Sequence, residues 1–251
     1  MKRIHIFLTF CFIIIYSFFV FSSSPDVELD VANQLAVASV FFFALFSGFF
    51  ISRQNDRYNK IIDVIAERDG LYSFFYRVFG MLPRVQAQMS RLIRDHYSKI
   101  SDSANWAYNE FNPSTTISSM SKLMSSLTQD EKSQIAGYSP FDGIWQQILQ
   151  LQQNRKKIIA LSNLKLITFQ WFIIYLFAAL VIFTFLLLPS ETMLVSFLKI
   201  IFGTSVFMVI LLLKQLDNLS IFGKNFSKNV ADDVIRILDE SDEKEISGKN
   251  S

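Results

Sequence analysis

Four long apolar runs stand out along the chain and are separated by segments rich in polar residues. They cover Ile4–Phe21, Val31–Ile51, Ile167–Leu188 and Met193–Leu213. Each run approaches the ~20 apolar residues that an α-helix needs to cross the hydrocarbon core of a bilayer. The pattern predicts an all-α, polytopic membrane protein with four transmembrane helices surrounded by lipid.

The long segment 52–166 is too polar to span a bilayer and too apolar to be disordered. Apolar residues within Asn55–Arg68 indicate that the second span continues beyond the membrane as a helix. Another helix is predicted over Pro83–Ile100, because proline suits a first helical turn and apolar residues follow at helical spacing. We expect a cytoplasmic helical domain inserted between transmembrane helices 2 and 3, and a cytoplasmic tail over 214–251.

Local signals mark further helices outside the spans. Thr128 with Glu131 forms a capping-box pattern, and Gly137 is placed to end the helix that it starts. Pro113–Ser126 is rich in Ser and Thr and is either a loop or a weak helix. Ser227–Leu238 has the spacing of a short amphipathic helix.

Ser139-Pro140 followed by Asp142 opens a helix, and neither Pro nor Gly occurs from Ile144 to Leu188. This predicts one helix that runs on into the third span. One of its sides is apolar, with Ile144, Ile148, Leu151 and Ile158. Its other sides carry amides, which form either a solvated face or an inter-subunit face: Gln146, Gln147, Gln150, Gln152, Gln153 and Asn154.

Basic residues flank the spans on one side of the membrane. Arg53, Arg57 and Lys60 follow the second run, and a basic cluster over 155–165 precedes the third. The positive-inside rule then places the middle region and both termini in the cytoplasm. The helical spans indicate a plasma (bacterial inner) membrane. If the first run is instead a cleaved signal peptide, three spans remain.

Composition removes several classes of function. The net charge is only +2, which gives no case for nucleic-acid binding. Cys11 is the single cysteine, so no intrachain disulfide forms, and two histidines exclude a His-rich metal site. No glycine loop for phosphate, nucleophile elbow or zinc-protease pattern occurs. We therefore predict no enzyme, no catalytic residue, no metal and no cofactor.

Two groups of titratable residues remain open to interpretation. Glu67 and Asp69 are either a charged helix end or an acid–base pair. His96, beside Asp95, is either a satisfied surface histidine or a titrating sensor.

Small, polar and bulky residues recur along the second run at steps of three and four. In an oligomer such a stripe lines a pore, with Val40 and Phe43 as a hydrophobic constriction. In a single subunit it is ordinary helix packing, since small residues permit close approach. The stripe consists of Asn33, Ala36, Val40, Phe43, Ser47 and Phe50.

Three short stretches along the chain carry motifs that resemble those of one protein family. The first is Arg57 through Leu71, with Glu67 and Gly70-Leu71 as an acidic residue and a small-residue turn. The second stretch has Leu82-Pro83, Tyr97 and Trp106. The third is Leu216-Asp217-Asn218 with Phe222-Gly223. Together these stretches resemble the bestrophin-like proteins of bacteria and plants, although Leu219 stands where that family has proline and one extra residue precedes Phe222.

The resemblance implies a homo-oligomeric channel for inorganic ions, pentameric and with its pore lined by the second span. The outer mouth of that pore would carry Asp26, Glu28 and Asp30, and its inner end Arg53 and Arg57. No calcium ligands carry over from the family. The alternative function is a membrane-anchored signalling or scaffold protein whose cytoplasmic domain binds a partner.

Overall fold

The computed structural model describes residues 2–22, 29–103, 105–112, 115–137, 140–189, 192–222, 226 and 229–239. All regular secondary structure in these residues is α-helical, which confirms the all-α prediction. The helices are α1 (Lys2–Ser22), α2 (Leu29–Phe79), α3 (Pro83–Ser103), α4 (Tyr108–Phe111), α5 (Thr116–Ser125), α6 (Gln129–Ala136), α7 (Phe141–Asn163), α8 (Thr168–Leu187), α9 (Met193–Asp217) and α10 (229–239).

The helices form two compact units. Unit 1 comprises residues 1–58 and 165–220, and unit 2 comprises residues 59–164 and 221–251. Three described helices are long and apolar enough to cross a membrane: Asp30–Phe79, Thr168–Leu187 and Met193–Asp217. Phe7–Ser22 is a shorter apolar helix. Four spans and a cytoplasmic insertion therefore stay predictions.

Within unit 1, α1 packs closely against α9. The rings of Phe12 and Phe207 stack with centroids 4.6 Å apart. Tyr16 lies directly over Gly203, where a Cβ atom would overlap its ring. Glycine at position 203 therefore allows the two helices to approach closely.

Unit 2 confirms most of the local helix predictions. Pro83 is the first residue of α3, Thr128 and Glu131 make the predicted capping box, and α6 ends at the residue before Gly137. Most of the Ser- and Thr-rich segment that was open to two interpretations is a helix, α5. The apolar faces of these helices, of α7 and of α10 share one core with the end of α2.

The prediction of one helix from Ile144 to Leu188 is wrong. Helix α7 ends at Asn163 and α8 begins at Thr168. The backbone N–H of Leu166 donates to the Asp217 carboxylate at 2.6 Å, and that of Ile167 donates to the Gln170 side chain at 3.1 Å. Because side chains accept these two hydrogen bonds, the chain leaves the helix here without proline or glycine.

The small-residue turn expected at Gly70-Leu71 is also absent, since α2 continues without a break to Phe79. Glycine inside a helix costs about 1 kcal/mol, which packing on either side can offset. The turn comes instead at residues 80–82, just before Pro83. Glu67 and Asp69 accordingly lie within a helix and not at its end.

Candidate functional site

The predicted pore stripe lies largely in the interior of unit 1. Four of its six residues are buried in a single subunit: Ala36, Phe43, Ser47 and Phe50. Phe43 and Phe50 belong to one apolar cluster with residues of α8 and α9. Val40 is half-buried and Asn33 is exposed. A pore exists only in an oligomer, so the stripe stays a prediction.

The other side of α2 is accessible along the whole predicted span. Phe41 and Leu45 are 59 % and 52 % exposed, and Ala38 is exposed as well. A Cβ atom built on Gly48 would meet open space. Lipid or a second subunit is therefore free to contact this side.

The predicted mouth residues fall in different environments. Asp30 is exposed in the first turn of α2, while Asp26 and Glu28 lie outside the described residues. At the other end Arg53 is exposed, whereas Arg57 is only 5 % exposed. Arg57 is therefore enclosed by protein and does not line an open mouth in the single subunit.

Arg57 belongs to a group that we call the clasp, formed by Arg57, Asp217 and Leu166. The guanidinium of Arg57 donates to the backbone carbonyl of Asp217 at 3.0 Å and lies 3.9 Å from its carboxylate. The same carboxylate accepts the Leu166 N–H. The clasp therefore links α2, the end of α9 and the residues just before α8.

The chain leaves α9 in an unusual conformation after the clasp. Leu219 has a φ of 53°, in the left-handed region that costs an L-residue about 1–2 kcal/mol. Proline, which the family has at this place, is fixed near −65°. The turn here must therefore differ from one built on proline.

The remaining motif residues have structural roles in the described residues. Tyr97 is fully buried, Trp106 stacks on Phe222 with centroids 4.9 Å apart, and Asn218 caps α9. Glu67 accepts a hydrogen bond from Gln150. Gly223 lies outside the described residues.

A buried network of charges and hydroxyls crosses unit 2. Arg68 donates to Glu110 at 2.6 Å and to Asp69 at 3.0 Å, and Tyr97 donates to Asp69 at 2.6 Å. Arg155 donates to the backbone carbonyl of Glu110 at 3.2 Å. These bonds join α2, α3, α4 and α7, and no pattern in the sequence singled out Arg68 or Glu110.

His96 was expected on the surface if it has no sensing role, but it is only 4 % exposed. Its Nδ1 lies 3.4 Å from the hydroxyl of Tyr72. Burial, with Arg68 and Lys99 nearby, lowers the pKa of His96 well below its usual value of 6.5. The imidazole is therefore neutral at physiological pH.

Within the described part of the chain, an all-helical fold with three apolar helices of membrane-crossing length defines an α-helical membrane protein. The Bestrophin-like domain model matches residues 5–219, and the chain belongs to the bestrophin-like family. Proteins of this family are ion channels in general. Neither a curated protein nor a solved structure matches the chain.

Proposed function

We propose that the chain assembles into a homo-oligomeric ion channel, pentameric by family resemblance, whose pore is lined by α2. The family match supports this proposal most strongly, because residues 5–219 include the apolar helices found in the described residues. The proposal also places both termini and unit 2 in the cytoplasm of a bacterial cell.

Within α2, Asn33 and Val40 are the stripe residues best placed to face a central axis. They keep accessible surface in the single subunit, whereas Phe43 and Phe50 are buried against α8 and α9. Val40 then contributes to a hydrophobic constriction. Phe43, packed against α8 and α9, supports this constriction from behind.

The clasp gives this proposal a structural basis at the inner end of the pore. A pore helix needs a fixed position relative to its own subunit, and the Arg57 guanidinium ties α2 to the end of α9. Arg53, which is exposed, is then the basic residue that faces passing ions. The exposed Asp30 faces them at the outer end.

Native mass spectrometry of the particle in nanodiscs tests the assembly. The expected mass is about five times the 29.0 kDa of one chain. A monomer or dimer contradicts a central pore. It would favour the alternative of a membrane-anchored scaffold, for which unit 2, with its own apolar core, is the partner-binding domain.

Cysteine accessibility then identifies the lining face. Cys11 is the single cysteine, so Cys11→Ser gives a background without thiols. In that background we expect a water-soluble thiol reagent to block currents through Val40→Cys and Asn33→Cys. Ala38→Cys, exposed on the opposite side of α2, is the matched control. Block at Ala38→Cys alone assigns the pore to that side and contradicts the predicted stripe.

A further inference from the structure

A small cavity lies inside unit 2, between α2, α3, α4 and α7. Its volume is about 20 Å³, and its polar lining consists of Arg68, Tyr72, His96, Asn109, Glu110 and Arg155. A cavity holds a water molecule when it offers roughly 10–15 Å³ and two to four polar partners. This cavity meets both conditions for one molecule.

Two atoms of this lining lack a hydrogen-bond partner among the described residues. They are Oε2 of Glu110 and Nε2 of His96, and both are buried. A buried polar atom without a partner costs roughly 1–3 kcal/mol, and more when it is charged. One ligand that satisfies both atoms would remove this cost.

The neighbouring hydrogen bonds bear on whether His96 Nε2 and Glu110 Oε2 act as donors or acceptors. The hydroxyl of Tyr72 lies 3.4 Å from Nδ1 of His96, and in the arrangement in which the hydroxyl donates, Nδ1 is the acceptor. The neutral imidazole then carries its proton on Nε2, which is a donor. Oε1 of Glu110 accepts from the guanidinium of Arg68 in a buried ion pair, which leaves Oε2 as the acceptor that faces the cavity.

We propose that the cavity is a binding site for one water molecule, which accepts from His96 Nε2–H and donates to Glu110 Oε2. The water completes a chain of hydrogen bonds that runs from Tyr72 through His96 and Glu110 to Arg68. It bridges α3 and α4 at the place where Arg68 of α2 and Arg155 of α7 also bind Glu110.

The charges of the lining select water over an ion. Two guanidinium groups line the cavity and repel a cation, while the free oxygen of Glu110 repels an anion. Water both accepts and donates, which the pair of unmatched atoms requires.

The test is nitrogen-15 NMR of labelled histidine in the full-length protein. The chain has two histidines, so His5→Gln leaves His96 as the only one. We expect one neutral tautomer with the proton on Nε2 and a cross-peak from that proton to water. A proton on Nδ1, or an Nε2 proton with no water cross-peak, overturns the proposal.

A matched pair of variants shows whether the cross-peak comes from water in the cavity or from exchange with bulk solvent. Ile117 lines the cavity, whereas Ile235 does not, and both are half-buried against the same core. In the His5→Gln background, Ile117→Phe is expected to abolish the water cross-peak and Ile235→Phe to leave it unchanged. A cross-peak that survives Ile117→Phe contradicts this assignment of the site.

Discussion

Asn154 shows how strongly one residue can depart from the pattern around it. It belongs to the amide-rich sequence of α7, yet it is fully buried with the apolar face of that helix. Neither of its amide atoms has a hydrogen-bond partner among the described residues. It therefore contributes neither to a solvated face nor to an inter-subunit face.

Replacing Asn154 by leucine is expected to stabilise the protein. The two side chains are similar in size, and the change removes two unsatisfied atoms at roughly 1–3 kcal/mol each. We predict a gain of about 1–2 kcal/mol in unfolding free energy, measured by thermal unfolding in detergent. Gln152→Leu, on the exposed side of α7, is the control and should change stability by less than about 0.5 kcal/mol. Destabilisation by Asn154→Leu would show that the amide has a partner.

The burial of His96 is expected to make the protein less stable in mild acid. Its pKa is lowered in the folded state, so the unfolded chain binds a proton first as the pH falls. The contribution of neutral His96 to the free energy of unfolding is fully present above pH 6.5, the usual pKa of histidine. Below pH 6.5 this contribution decreases by at most about 1.4 kcal/mol per pH unit. His96→Gln should flatten the stability profile between pH 6.5 and 5, and His5→Gln should not. Equal slopes for the wild type and His96→Gln would refute this.

The helices differ in how far the sequence predicts them. Helix α6 is predictable because its capping box needs only Thr128 and Glu131, three residues apart. The break before α8 is not, because its hydrogen-bond acceptor, Asp217, lies 51 residues further along the chain. The same holds for the buried pair of Arg68 and Glu110, 42 residues apart. Periodicity also predicted the stripe of α2, but it gave no information on which neighbour the stripe faces.

The packing of α1 on α9 depends on the absence of a side chain at Gly203. We predict that Gly203→Ala lowers the thermal midpoint, because the new methyl group overlaps the buried ring of Tyr16. Overpacking of this kind costs about 1–3 kcal/mol. Gly70→Ala in α2 meets open space and should instead stabilise by about 0.5–1 kcal/mol. An unchanged midpoint in Gly203→Ala would contradict the close approach of the two helices.

The clasp predicts that Asp217→Asn and Asp217→Ala lower the stability of the protein to different extents. Asp217→Asn removes the charge beside Arg57 but keeps an oxygen for the Leu166 N–H, whereas Asp217→Ala removes both. Loss of one partner of a buried ion pair costs about 3–5 kcal/mol. Thermal unfolding should therefore show a lower midpoint for the asparagine variant and a still lower one for alanine. Asp56→Asn, exposed on α2, should match the wild type; an equally stable Asp217→Ala would rule out the clasp.

The whole molecule combines two compact units, each with its own apolar cluster. Unit 1 contains the apolar helices that give the chain its membrane character, and unit 2 contains the buried network around Arg68. The family match extends through both units to residue 219. The proposed conduction of ions by an oligomer accounts for both the apolar helices and the family match.

Current through planar bilayers that contain the purified protein tests this central claim most directly. We predict discrete, ion-selective conductance from the wild type and an altered unitary conductance in Val40→Ala. Asp30→Asn should shift the reversal potential toward anion permeation, because it removes an acidic group from the proposed outer mouth. Particles of pentameric mass that conduct no ions above protein-free bilayers would contradict the channel and favour the scaffold.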